Sequence, residues 1–339
     1  MTESKKDSTV ISSRIRLARN LSGYPFPGKS LTIAGADDII KKVSLQLEKT
    51  GRYKIFQMKT LHPVEIQVLK EKYLVSSDLM DKKDIGAVMI SEDESVAVMI
   101  NEEDHLREQC ILKGFKLSEA YEKISAIDDV LSEGLNYAFD EDFGYLTACA
   151  TNLGTGMRAS VMMFLPAITR LRIEEDLFSD VKKLGLTVRG AFGEGSDARG
   201  SLYQISNQVS LGVSESEILT NVEYTARTLS EIEIKQREAL YERDPVRIQD
   251  ECGRAYGILT NASLLSSAEF ASLLADVKLG CYYGVIKLDE PEKLDDMEVT
   301  MRPAHINMMA REELSSEERD FFRAEFVRKT LRKMGGENV

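Results

Sequence analysis

The sequence predicts an α+β fold: a largely antiparallel sheet flanked by helices, followed by a mainly helical C-terminal region. Three observations predict it. Residues 87–100, AVMISEDESVAVMI, are two β-rich runs around a polar turn from Ser91 to Ser95, which is the pattern of a hairpin. Strand-like and helix-like segments are interspersed as far as Gly212, which with this hairpin favours an antiparallel sheet over a doubly wound one. Beyond Gly212 the helix signals take over, with Ser-x-x-Glu capping boxes at Ser214–Glu217, Ser266–Glu269 and Ser315–Glu318.

In order along the chain, VISSRIRLARN has the β-branched content of a strand. Residues 37–49 and 63–74 carry helical periodicity, the second opening on Pro63 in the favoured first turn. The hairpin follows, and its second strand runs into NEEDHLR. Leu117, Tyr121, Ile124, Ile127 and Leu131 fall on one helical face. GYLTACAT, residues 144–151, reads as a buried strand leaving through the glycine-bearing turn NLGTGMR. A helix is predicted around 167–183, and residues 186–208 read as strand, glycine-rich loop, strand. Ile218, Val222, Leu229, Ile232 and Leu240 extend a long amphipathic helix toward Pro245. With no repeat and no low-complexity linker, the expected division is 1–212 for the sheet-bearing domain and 213–339 for the helical one, packed together.

A chain of 339 residues suffices for two domains. No apolar run is long enough to span a bilayer and MTESKKDSTV lacks a signal-peptide core, so a cytoplasmic protein without membrane contact is expected. Cys110, Cys149, Cys252 and Cys281 form no C-x-x-C pair, and His62, His105 and His305 are scattered; this argues against zinc and against a disulfide framework. A net charge of −12 disfavours nucleic acid as a direct partner. Yet arginine concentrates in SSRIRLARN, EEDHLREQ, GTGMRAS and TVRGAFGE, as in the building of an anion site, where its planar fork suits phosphate.

Arg14 and Arg16 lie two apart, so a strand puts both on one face. Arg107 follows the acidic cluster Glu102, Glu103, Asp104; Arg158 follows Gly154-Thr155-Gly156; Arg189 opens RGAFGEG, which holds Glu194. Taken singly, Arg14 and Arg16 are as compatible with a solvated strand face as with a site, each of the other arginines is a weak signal, and a solvated turn is the plainer reading of the acids. No G-x-x-x-x-G-K-[ST] run exists, which excludes a P-loop.

Together the segments SSRIR (12–16), NEEDHLR (101–107), CATNLGTGMRAS (149–160), RGAFGE (189–194) and YQISNQ (203–208) resemble the phosphagen (guanidino) kinase family in order and spacing, over about residues 10–240. The resemblance is strongest to the branch that acts on arginine in proteins. SSRIR starts near the N-terminus, where metabolite-phosphorylating relatives first have a helical domain that encloses the small substrate; and RDFFRA (319–324) looks like the branch's phosphoarginine-recognition motif.

The resemblance implies a phosphagen-kinase-like catalytic domain that uses ATP with Mg²⁺ held through the phosphates. It implies that Glu103 and Glu194 clamp the acceptor guanidinium, Glu103 being the base, and that Cys149 contacts it as a thiolate favoured by flanking cations. Ser12, Ser13, Arg14, Arg16, Tyr73, Arg107, Arg158, Ala159, Ser160, Arg189, Gly190 and Gly193 are implied to bind ATP, and Arg319, Asp320, Arg323 and Ala324 to bind phosphoarginine. Tyr73 stands where the branch's adenine-side histidine is expected, and Ala150 where the family often has proline. Protein substrates with exposed arginine, an activator protein, protease or chaperone machinery and a homodimer complete the implied partners, in protein quality control and stress response. A kinase for free arginine shares every catalytic residue. A non-catalytic phosphoarginine reader, by contrast, predicts degraded carboxylates, whereas Glu103 and Glu194 are both present.

Overall fold

The computed structural model describes residues 9–28, 30–190 and 199–336. β1 (Val10–Arg19) is the strand expected around Arg14 and Arg16. α1 (Ile33–Leu47) starts four residues before the predicted helix, because Thr32 caps it by accepting from Gly35 N at 3.1 Å. After β2 (Tyr53–Gln57) comes α2 (Pro63–Glu71), then α3 (Ser77–Asp81). The predicted hairpin is β3 (Ala87–Ser91) and β4 (Val96–Ile100), its turn tied by Asp93, which accepts from Ser95 N at 3.1 Å. β5 (Leu106–Lys113) and α4 (Leu117–Gly134) follow, and α4 buries Leu117, Ile124, Ile127 and Leu131 as expected.

The strand expected at 144–151 is not there. β6 (Phe139–Asp140) and β7 (Gly144–Tyr145) form only a short ribbon, and the chain beyond runs irregularly to a single 3₁₀ turn at Ala150–Asn152. Glycine explains this. Gly144 (φ +70°) and Gly154 (φ +97°) let backbones cross so closely that a Cβ on Gly154 would lie 2.2 Å from the Ser210 carbonyl. The strand is instead β8 (Met157–Phe164), just past those glycines.

The helix predicted at 167–183 is two, α5 (Pro166–Leu171) and α6 (Glu174–Lys183), parted by Arg172 in the left-handed region at φ 57°. β9 (Leu186–Gly190) and β10 (Leu202–Asn207) match the expected pair of strands. Then come α7 (Glu215–Arg243), α8 (Pro245–Leu259), α9 (Ser267–Tyr282), α10 (Lys293–Thr300), α11 (Pro303–Ala310) and α12 (Ser316–Met334). Ser214 and Ser315 form reciprocal capping boxes, while Ser266 only accepts from Glu269 N.

The main sheet runs β2-β3-β4-β5-β1-β8-β10-β9, and each of these pairings is antiparallel. Alternation gives it two unlike faces. One carries Ile15, Leu17, Val98, Cys110, Ala159, Val161 and Ile205 into a core with α1, α4 and the first half of α7. Among the described residues the other is covered only at its ends. α2 and α3 pack on Val88, Ala97 and Met99, and α9 packs through Ala275 on Phe164 and Leu202. The uncovered middle is a cleft.

A second core joins α8, α9, α10 and α12. The first half of α7 therefore packs with the sheet, and the helical core proper begins at Ile248, some way beyond the expected division at Gly212. Within α7, Glu233 is fully buried. It accepts from Ala167 N and Ile168 N, each at 2.9 Å, and from Arg237 Nε at 2.6 Å, so one carboxylate caps α5 and neutralises a buried guanidinium. Glu233→Ala leaves two helix-end donors and a buried cation without that carboxylate. It should cost about 3–5 kcal/mol in urea unfolding; a loss under about 1 kcal/mol would contradict this role.

Candidate active site

The strand register brings the predicted arginines together. Arg16 on β1 lies opposite Arg158 on β8, and Arg14 lies opposite Ser160. Arg107 on β5 lies opposite Ala18, one pleat from Arg16 on the same face, and Arg189 on β9 lies opposite Gln204 of β10. Five guanidinium-bearing positions from four strands thus share the uncovered face of the sheet.

Their electrostatics are strained. Burial, reinforced by the charge on Arg107, pulls Arg14 down to about 10, and burial with Arg14, Arg107 and Arg158 pulls Arg16 well below its ordinary value. Arg158 is lowered by burial, then by Arg189 and Arg107. Only Arg107 is raised: burial opposes its charge, but Glu102 outweighs this with a 2.6 Å ion pair. Arg158 Nη2 donates to Ser206 Oγ at 3.0 Å, while the buried Nε atoms of Arg16 and Arg158 have no hydrogen-bond partner among the described residues. Buried donors beside like charges are a setting that a polyanion would suit.

A cavity of about 590 Å³ opens on this face, lined among others by Arg14, Arg16, Arg107, Tyr73, Ser76 and Arg302. Tyr73 has φ +61°, unusual for a tyrosine, and its carbonyl accepts from Gln109 Nε2 at 2.7 Å. Its hydroxyl accepts from Arg302 Nη2 at 2.7 Å.

At the cavity's edge the three consecutive acids of NEEDHLR have three different fates. Glu102 is buried and bound by Arg107 and the Ser76 hydroxyl, which hold its pKa down against burial. Asp104 is buried and accepts from Asn20 Nδ2 and from Ala148 N, both at 2.6 Å. Glu103 projects between them, half-buried; burial first, then the charges of Asp104 and Glu102, raises its pKa. The turn is pinned from below. His105 Nδ1 accepts from Leu21 N at 3.0 Å, which leaves Nε2 to donate to the Pro25 carbonyl at 3.0 Å.

Because Ala148 precedes Cys149, the Asp104 bond ties the Glu103 turn to the cysteine loop. Cys149 is half-buried with its sulfur 3.0 Å from Thr151 Oγ1. Ser210 Oγ holds this loop from beneath, its single hydrogen shared between Thr151 O and Leu153 O at 2.9 and 2.8 Å. Arg19, buried under the site, bonds Asp128 at 2.7 Å and the carbonyl of Thr155 at 2.9 Å. Sequence reasoning passed over Asn20, Arg19 and Arg302. The first two sit in the arginine-rich first strand and its exit, whereas nothing local marks Arg302.

Other expected contacts fall elsewhere. Ser13 Oγ donates to Gly114 O at 2.9 Å on the core side, and Ala159 faces the core with its N–H on Asn207 Oδ1 at 2.8 Å. Ser12 and Ser160 share the arginine face, and Gly190 ends β9. Glu194 and Gly193 lie outside the described residues. In the helical region Arg323 is buried, donating to Met301 O, Leu265 O and Asp320, while half-buried Arg319 donates to Leu314 O; Ala324 is in the core. Among the described residues no group of three or more His, Cys, Asp or Glu is arranged to hold a metal ion, and no helix is long and apolar enough to cross a membrane.

Residues 36–236 match the model of the ATP:guanido phosphotransferase C-terminal catalytic domain, and residues 245–339 that of the protein-arginine kinase McsB C-terminal domain. The chain is 43% identical over 337 residues to a protein-arginine kinase of Caldanaerobacter subterraneus subsp. tengcongensis, covering 98% of this chain and 99% of that protein. It is 43% identical to a protein-arginine kinase of Brevibacillus brevis, covering 97% of this chain and 94% of that protein. Among solved structures it resembles the duplicated taurocyamine kinase of Schistosoma mansoni with bound transition-state-analogue components, at TM-score 0.60 and 26% identity, covering 69% of this chain and 34% of that one. It also resembles a lombricine kinase, at TM-score 0.59 and 25% identity, covering 67% of this chain and 66% of that one.

An ATP-using phosphotransferase with a guanidino acceptor is the class that fold and site define, and the chain belongs to the ATP:guanido phosphotransferase family. Within that family its near-full-length relatives make it a protein-arginine kinase.

The crowding of like charges has a measurable consequence. Arg16→Met keeps the stem's packing and removes one repelling cation, so the nucleotide-free protein should gain about 0.5–2 kcal/mol in thermal unfolding while losing nucleotide affinity. A variant destabilised in the absence of nucleotide would mean that the cluster is already neutralised from within.

Proposed function

We propose that the chain transfers the γ-phosphoryl group of ATP to a guanidinium nitrogen of arginine side chains in proteins, with Glu103 as base. The observation that carries this reading is the register that gathers Arg14, Arg16, Arg107, Arg158 and Arg189 on one face beside a Glu103 turn bonded, through Asp104, to the Cys149 loop.

A guanidinium stays protonated up to a pKa above about 12 and is then a poor nucleophile. Glu103 is suited to take that proton, since burial and two neighbouring carboxylates raise its basicity. As the proton leaves, the nitrogen attacks phosphorus, the N–P bond forms, the bond to the bridging oxygen breaks, and ADP departs. The arginines bind the phosphates and stabilise charge on the transferred group, so catalysis is alignment plus electrostatics. Mg²⁺ would be held mainly through the nucleotide rather than by protein ligands, and would offset the charge of the phosphates. By family resemblance Glu194 is the second clamp and Cys149 a contact to the guanidinium.

The C-terminal domain is the proposed phosphoarginine sensor, a reading supported by its match to the protein-arginine kinase domain at 245–339. A phosphoryl group docking on α12 would draw Arg319 from the Leu314 carbonyl and compete with Asp320 for Arg323. We place the enzyme in the cytoplasm as a homodimer, in protein quality control and stress response, with an activator protein and protease or chaperone machinery as partners.

The test offers an unfolded protein and free arginine side by side with MgATP. Products are read by mass spectrometry under non-acidic handling, before and after autophosphorylation. Wild type should mark arginine in the protein. Glu103→Gln should bind ATP yet transfer nothing, and Arg319→Ala should lose the difference between the two states. Phosphate confined to hydroxyl side chains, or preferential marking of free arginine, would overturn the assignment.

The pH profile gives an independent check. Glu103 works only when ionised, so activity falls as pH drops through its raised pKa, above the ordinary value of about 4.3. Asp104→Asn removes a like charge yet keeps an oxygen for Asn20 and Ala148, and should shift the acid limb of kcat/KM to lower pH. An unmoved limb would remove Glu103 as the titrating base.

A further inference from the structure

Residues from the C-terminal part of the chain reach the nucleotide cavity. Arg302 stands just before α11, some 195 residues beyond Arg107 in sequence, and both line the same cavity. Its Nη1 donates to Glu71 O at 2.9 Å and its Nη2 to Tyr73 Oη at 2.7 Å, with the guanidinium carbon 4.9 Å from the centre of the Tyr73 ring.

Tyr73 needs holding. A φ of +61° is a conformation that tyrosine rarely adopts, and such strain, of order 1–3 kcal/mol generally, persists only where the surroundings over-determine it. Here Gln109 of β5, on the arginine face, fixes the Tyr73 carbonyl, and Arg302 fixes its hydroxyl. One tyrosine is thus gripped by both parts of the protein at the cavity wall.

The grip continues along α11. The Glu71 carboxylate accepts from Ala304 N at 2.9 Å and His305 N at 3.0 Å, and its Oε2 lies 2.6 Å from His305 Nδ1. The last residue of α2 therefore caps the first turn of α11, giving two open N–H groups an anionic partner at the positive end of a helix. The same residue offers its carbonyl to Arg302. Seating of α11 on α2 and the shape of the cavity wall depend on one contact set.

We propose that Arg302 is a positioning residue for the nucleotide: it completes the cavity wall through Tyr73, so that nucleotide binding and the seating of the C-terminal domain on α2 are energetically coupled. This rests on the cavity being the ATP site. Coupling is reciprocal, so whatever Arg302 contributes to nucleotide affinity, the nucleotide returns to the α2–α11 contact.

The test uses the full chain and MgADP or MgATP as probe. By hydrogen exchange on wild type, saturating nucleotide should slow the amides of Ala304 and His305 on the order of five- to tenfold. Arg302→Ala should weaken nucleotide binding by a similar factor, seen as a raised KM for ATP with kcat little changed. Arg302→Lys keeps a cation but not the fork, and should fall short of full rescue. Nucleotide that binds wild type without slowing those two amides overturns the proposal. So does unchanged nucleotide affinity in a folded Arg302→Ala. Failure of wild type to bind nucleotide at all would instead strike the reading of the cavity as the ATP site, and the two failures are told apart by that single control. If Arg302→Ala does not fold, the exchange measurement on wild type decides alone.

Discussion

Mutual repulsion among guanidinium groups is the constraint around which this protein is organised. Two unit charges about 7 Å apart in an effective dielectric of about 20 repel by roughly 2 kcal/mol, and one face of the sheet gathers five such groups, four of them on the adjoining strands β5, β1 and β8. A loop could not hold them, because it would relax until they separated. A strand with antiparallel partners fixed on both sides cannot relax in that way, which accounts for Arg14, Arg16, Arg107 and Arg158 being on β1, β5 and β8, the middle of the sheet. The stability that opposes the repulsion comes from the reverse face, where the alternate residues of the same strands are fully buried against α1, α4 and α7. Core and site are two sides of one pleat.

Selective neutralisation then gives the site its direction. Glu102 forms its ion pair with Arg107 and offsets Arg16 only in small part, so Arg14, Arg16 and Arg158 stay depressed by burial and by neighbouring arginines. The turn carrying Glu102 begins at Asn101, whose φ of +59° redirects the chain at the end of β4, so that three successive carboxylates take three directions: to the cation, outward, and into the scaffold. An acid buried with two donors cannot serve as base, and one bonded to arginine is too weak. Glu103, raised by burial and then by its two neighbours, is the one of the three that the proposed chemistry can use, because those neighbours are otherwise occupied.

Much of this was legible from the sequence, and where it was not the reason is physical. Period two alone placed Arg14 and Arg16 on one face, and the hairpin at 87–100 was marked by its β-rich runs. The error at 144–151 arose because an apolar stretch was weighed above the glycines around it; Gly144 and Gly154 permit a backbone crossing that a strand does not survive. β8 was missed for the opposite reason, its arginine and serine interrupting the apolar pattern on the very face that makes it functional. Arg319 and Arg323 drew attention only through the resemblance of RDFFRA, and four-residue spacing could not show that Arg323 is buried and donates to two backbone carbonyls and to Asp320. Helical spacing fixes direction around an axis, not depth. Arg302 has no local signature at all, since its meaning lies in a contact made across more than 200 residues.

The placement of charge also bears on the order in which partners meet. A net charge of −12 repels nucleotide at long range and attracts a cationic acceptor, while the arginine face acts at short range, within a cleft whose walls concentrate its field. Screening at physiological ionic strength confines the long-range part to about 8 Å, so the nucleotide meets little opposition until it is near the arginines, which then dominate. An arginine-bearing protein feels the acidic exterior over a larger area than any one site and gains from each additional cation it carries. On the proposed function, the acceptor side is thus selected by surface charge, and acceptor affinity should be more sensitive to salt than nucleotide binding at the arginine face.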